Sequence, residues 1–148
     1  MSVEHENGVA GLRRFYLQLS IVHPAIDPAD ITNGLELECR YRHRASAPRM
    51  TPKGTPLGGE YPDTRWRHSV LHAVNDHAFA DKIEELMVHL ESKKAFLEQL
   101  TVSGGRLSLI IEFIGDGYFS DEIPRRTLSK IVDLGLNLSI VSYSSQNQ

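Results

Sequence analysis

Three arginines, Arg40, Arg42 and Arg44, alternate with Tyr41 and His43. In an extended strand, residues two apart share a face, so the three guanidinium groups would form one stripe suited to an anion. The stripe opens a basic region. Between Arg40 and Arg67, seven Lys and Arg residues stand against only Glu60 and Asp63, a local charge of +5 in a chain of net charge -3, which leaves -8 elsewhere. Arg65, Arg67 and His68 close the region around Trp66, and with Arg42 and Arg44 they are the residues expected to bind a small anion or an acidic partner. The competing reading pairs these arginines with the acids of the next helix (Asp81, Glu84, Glu85, Glu91), or leaves them hydrated.

Other reactive side chains do not assemble into a set. Trp66, His68, Val70 and His72 fall on one strand face with His77 beyond, which spaces the strand imidazoles about 7 Å apart. That is loose for a shared metal, and zinc wants three or four ligands with supporting partners, so no metal and no cofactor is expected. Gly115-Asp116-Gly117-Tyr118 reads as a turn, because it lacks the lysine and the helix entry of a phosphate loop. Ser144 and Ser145 lie in a polar tail, no Gly-x-Ser-x-Gly elbow exists, and Cys39 has only the arginines to activate it. No catalytic residue is assigned, and the balance leans away from an enzyme.

The elements that would position these residues are legible from periodicity. Phe15 to Val22 alternates as a half-buried strand, and Asp27-Pro28-Ala29-Asp30 opens a short helix that Gly34 is expected to end. Leu37 to Arg44 and Arg65 to Val74 read as hairpin arms around a long loop rich in turn residues, Pro48, Pro52, Pro56 and Pro62 with Gly54, Gly58 and Gly59. A long helix follows, capped by Asn75 or Asp76, with Phe79, Ile83, Leu86, Leu90, Leu97 and Leu100 as its core seam and Phe96 and Val88 left for a partner surface. Arg106 to Ile114 is a strand. Ser120 with Asp121 and Glu122 caps a last helix ending at Gly135, and Leu136, Leu138 and Ile140 form a final strand. The order β-α-β-β-α-β-α-β predicts an α+β fold, a mainly antiparallel sheet with helices on one face, in which a ferredoxin-like core carries an added αβ unit.

The run Thr51-Pro52-Lys53-Gly54-Thr55-Pro56-Leu57-Gly58-Gly59, followed by Tyr61 and Trp66, resembles a segment of a bacterial family known only as domain of unknown function 4279. Asp30-Ile31-Thr32 is similar to that family's acid-x-Ile-Thr signature after the opening strand. Leu134-Gly135-Leu136-Asn137-Leu138 is similar to its closing motif, so the likeness runs along most of the chain. Glu36-Leu37-Glu38-Cys39 departs from it, standing where the family has a Gly-x-x-Pro step. The resemblance implies a fold and carries no activity.

Size and composition bound the rest. With 148 residues and 41% hydrophobic content, the chain suits one domain, expected over 12–143, with 1–11 and 144–148 as flexible termini. The single cysteine excludes an internal disulfide and fits a reducing, cytoplasmic compartment. No apolar run reaches the length of a membrane span, and the first eleven residues lack the apolar core of a signal peptide. The negative net charge argues against nucleic acid. The expected function is therefore a non-enzymatic protein-interaction module of an immunity or regulatory kind. The alternative is a small-anion-binding protein or enzyme that uses the Arg40–Arg67 region.

Overall fold

In the computed structural model of the protein, residues 14–73, 79–115 and 120–143 are described. The chain is an α+β protein built on a mixed five-stranded sheet. Its elements are β1 (Arg14–His23), α1 (Pro28–Leu35), β2 (Tyr41–His43), β3 (Pro48–Met50), β4 (Pro56–Glu60), β5 (Thr64–Ala73), α2 (Ala80–Glu91), α3 (Lys94–Val102), β6 (Arg106–Ile114), α4 (Arg125–Asp133) and β7 (Asn137–Tyr143). The sheet runs β2-β5-β1-β6-β7, and β3 and β4 form a separate two-stranded sheet. Pairing is antiparallel between β1 and β5, β1 and β6, and β2 and β5, and parallel between β6 and β7.

Alternation along β1 sets the two faces of the sheet. Phe15, Leu17, Leu19 and Ile21 are buried with Leu107, Leu109, Ile111 and Phe113 of β6, and the apolar stripes of all four described helices join the same cluster. Trp66 of β5 is also buried there, and its indole N–H donates to Thr32 Oγ1 on α1 at 2.9 Å. Such a bond is worth about 1 kcal/mol when made and costs about 1–3 kcal/mol when the buried donor is orphaned.

The element order departs from β-α-β-β-α-β-α-β in two places, and one helix boundary shifts. The proline-rich loop contributes a hairpin of its own, β3–β4. The predicted long helix is two helices, because the chain leaves α-helical hydrogen bonding at Ser92 and Lys93, where the Ser92 hydroxyl caps His89 O and Lys93 N–H turns back to Leu90 O. The last helix starts at Arg125 rather than Ser120. Asp121 is drawn away to the neighbouring helix, where its Oδ2 accepts from the Ala80 N–H at the start of α2. The expected caps Asn75 and Asp76, the Gly115–Tyr118 turn beyond Gly115, and the expected flexible termini lie outside the described residues.

Gly34 does not end α1. It lies inside the helix, and Glu36, at φ 55°, makes the left-handed C-cap. Its role is steric: a Cβ there would sit 2.5 Å from the ring of Phe96 on α3. Phe96, expected at a partner surface, packs against the core instead. Gly34→Ala therefore sets a helix-propensity gain of about 1 kcal/mol against an overpacking cost of about 1–3 kcal/mol. Urea denaturation should show net destabilisation, and restoration of stability in Gly34→Ala with Phe96→Leu would confirm the contact as the cause.

His23 joins the end of β1 to two other segments. Its Nδ1 accepts from the N–H groups of Ala25 and Ile26, and its Nε2 lies 2.8 Å from Ser103 Oγ. Accepting two N–H bonds fixes the neutral Nε2–H tautomer, which donates to Ser103, and burial lowers the imidazole pKa below its ordinary value. A pKa lowered in the folded state means the unfolded chain binds more protons below about pH 6.5, so stability present above that pH is lost as it falls. The urea midpoint should drop between pH 7.5 and 5.5, and drop less in His23→Asn, whose amide oxygen accepts the same N–H groups without titrating.

Candidate functional site

Strand alternation divides the basic region between the two faces of the sheet. The register pairs Tyr41 with Arg67, Arg42 with Trp66, and His43 with Arg65. Trp66 points into the core, so Tyr41, His43, Arg65 and Arg67 share the opposite face, which no described helix covers. Ser20 and Val22 of β1 extend this face beside Arg67 and Arg65.

Two clefts lie on it. One of about 390 Å³ is lined by Tyr41, His43, Pro62, Asp63, Arg65 and Arg67. The other, about 230 Å³, shares Tyr41 and Arg67 and adds Arg40, Gln18 and Glu112. Tyr41 and Arg67 line both clefts.

A network of rings and charges fixes the walls. The His43 ring stacks on Tyr61 with centroids 3.7 Å apart and planes 4° from parallel, while its Nδ1 is 2.9 Å from the Tyr41 hydroxyl. Arg65 meets Asp63 side-on, Nε to Oδ1 at 3.1 Å and Nη2 to Oδ2 at 3.4 Å, and His43 Nε2 stands 3.6 Å from the same carboxylate. The Arg65 hydrogen bonds, above all, hold the Asp63 carboxyl below the usual carboxylate range, and Asp63 in turn raises Arg65. Arg65 is thus neutralised within the site. Among the described residues Arg67 and Arg40 have no ion pair, and with Glu112 as the one acid lining their cleft they leave it a net positive charge. Glu112, the other acid on this face, accepts from Gln18 Nε2 at 2.7 Å.

The six residues expected to act together are placed as follows. Arg65 and Arg67 lie on the open face. Trp66 is a core residue tied to Thr32. Arg42, exposed, lies across the sheet from Arg67 by register. Arg44 lies beyond the end of β2 and pairs with Asp27 at 3.2 Å. His68 donates its Nδ1–H to Glu38 O at 2.7 Å and lines a different cleft, of about 260 Å³, with Val70, His72, Leu86 and His89. Arg40, Arg42 and Arg44 do not form one stripe, because the regular strand spans only three residues and the two-residue period fails on either side of it. The expected pairing of arginines with the acids of the long helix is not seen either: among the described residues Glu84 takes Lys130 and Glu85 takes Lys82.

Sequence reasoning missed Tyr41, His43, Tyr61 and Asp63. Tyr41 and His43 were visible as the other half of the arginine alternation. Tyr61 and Asp63 reach the site through the hairpin, whose return places Tyr61 N–H on Ala47 O. Among the described residues no group of three His, Cys, Asp or Glu side chains is placed to hold a metal ion, and no helix is long and apolar enough to cross a membrane. No protein-family model, curated protein or solved structure matches the chain.

Asp63 acts as an internal counterion that an incoming anion must compete with. Asp63→Asn frees Arg65 and should strengthen binding of inorganic phosphate or a glutamate-rich peptide by roughly threefold to tenfold at low salt. Exposed ion pairs contribute about 0–1 kcal/mol, so the same variant should lose no more than that in urea denaturation.

Proposed function

We propose that the protein is a non-enzymatic binding module whose open sheet face takes an acidic segment of another protein. The carrying observation is Arg67, with no ion pair among the described residues, beside the half-exposed ring of Tyr41, both residues lining the two clefts. Guanidinium groups bind carboxylates in two-point fashion, and an adjacent tyrosine adds apolar contact at low entropic cost. The cleft beside Arg65 also supports a second reading, a small anion seated between Arg65, Arg67 and His43. The net charge of -3 argues against nucleic acid as the occupant.

The fold reading belongs to the same proposal. β1-α1-β2 and β5-α2-α3-β6 form two interleaved crossovers in the order β2-β5-β1-β6, which supports a ferredoxin-like core, with α4 and β7 as the added unit. Membership of family 4279, a bacterial source and a cytoplasmic location remain part of this proposal, resting on the motifs from Thr51 to Trp66 and on Cys39 as the single cysteine.

A fluorescein-labelled glutamate-rich peptide titrated by anisotropy tests the proposal. Binding should weaken about tenfold in Arg67→Glu, and weaken with added salt. Arg44→Glu, paired with Asp27 and lining neither cleft, should bind as the native chain does. Absence of peptide binding at low salt, or indifference to Arg67→Glu, would sink the acidic-segment reading. Saturation by inorganic phosphate without peptide binding would favour the small anion.

A further inference from the structure

We infer that the protein pairs with a second copy of itself through the outer edge of β7 and the adjoining stripe of α4. β7 is the last strand of the sheet, so the backbone groups on its outer side have no strand partner among the described residues. Sheet edges are normally blunted by lysine, proline or a bulge. The seven residues Asn137–Tyr143 contain no charge and no proline, and they keep one unbroken register with β6.

Apolar side chains gather beside that edge. Leu138 and Ile140 stand opposite Leu109 and Ile111, which places them on the helix-bearing face of the sheet, yet Ile140 is 65% exposed. On α4, Thr127 and Lys130 both bind Glu84 of α2. At about 100° per residue, Leu128 and Val132 lie on the side of the helix turned away from α2, above the outer edge of β7. Val132 is 73% exposed and Leu128 40%. These four side chains make an apolar corner on the helix-bearing side of the β7 edge.

Charge selects a second copy as the occupant. α4 carries Arg125 and Arg126 at its amino end and Lys130 and Asp133 in its last turn and at its carboxyl end; Lys130 is taken by Glu84 of α2 and Arg126 lines a cleft with Asp121 and Glu122, which leaves Arg125 and Asp133 as the end charges. This arrangement opposes the helix dipole, at about 0.3–1 kcal/mol per charge, so α4 on its own gains nothing from it. β6 and β7 are parallel, so the intervening α4 runs against β7. A two-fold axis normal to the sheet pairs β7 with its copy in antiparallel fashion, sets the two α4 helices antiparallel, and brings each basic end beside the other copy's acidic end. The interface closes on itself, stacks Leu128, Val132 and Ile140 against their symmetry mates, and doubles the five-stranded sheet. Both open faces then lie on the same side.

Light scattering and sedimentation of the full chain over a wide concentration range test this. The expected species has twice the 16.6 kDa chain mass. Val132→Glu, at an exposed helix position that tolerates glutamate, should be monomeric with unchanged circular dichroism, and Ile140→Lys should match it. Arg125→Asp should weaken association about tenfold, and adding Asp133→Arg in the same chain should recover it. Overturning results are a native chain that stays at the single-chain mass, one that associates only with a different protein, a dimer indifferent to Val132→Glu, or a double charge swap without recovery.

Discussion

Strand β1 is paired on both sides along almost its full length, with β5 through ten residue pairs and with β6 through nine. No other element touches as much of the molecule, and its strict two-residue period is imposed on both neighbours. Once Phe15, Leu17, Leu19 and Ile21 turn inward, the antiparallel register fixes Trp66 inward and Arg65 and Arg67 outward. A slip of one residue would bury two guanidinium groups, each at a cost of several kcal/mol, and expose the tryptophan. The core and the candidate site are therefore two consequences of one register, and the arginines help to specify the fold even where they contribute little to its stability.

This coupling explains what was legible in the sequence. β1, β6 and the inward seam of Ile83, Leu90, Leu97 and Leu100 follow from periodicity alone, because each is long enough for its pattern to exceed chance. β2 was read as longer than it is. Three residues cannot sustain an alternation, so the arginine stripe dissolved into Arg40 on the open-face cleft, Arg42 across the sheet, and Arg44 on Asp27. The fault lay in extending a period beyond the hydrogen bonds that enforce it.

Other misreadings came from long-range contacts that local rules do not contain. Asp121 has the residue type and position of a helix cap, and it is one, but for α2, forty-one residues away along the chain. Gly34 looks like a helix stop, yet its lack of a side chain serves the Phe96 ring. In both cases the residue type was read correctly as a helix-terminus or small-residue signal, and tertiary packing reassigned which helix it serves. Asp63 shows the same effect at the site, since its sequence position two residues before Arg65 gives no hint that it also stands beside His43.

The distribution of charge follows a common logic on the two edges of the sheet. At the β2 edge, positive charge is left in excess, because Arg65 is answered by Asp63 while Arg67 and Arg40 have no ion pair among the described residues. At the β7 edge the strand is neutral and charges of both signs sit on α4, with Arg125 at its amino end and Asp133 at its carboxyl end. An uncompensated cation on an open face favours a ligand of opposite sign, whereas a neutral apolar edge flanked by separated charges of both signs favours its own copy. The two surfaces lie at opposite ends of the strand order, so occupancy of one leaves the other free, and pairing at β7 would set the two arginine faces toward the far ends of one doubled sheet. Two weak contacts made together act at a high effective concentration only when one ligand spans both sites, so a multivalent acidic partner of the proposed kind would have to reach across the doubled sheet.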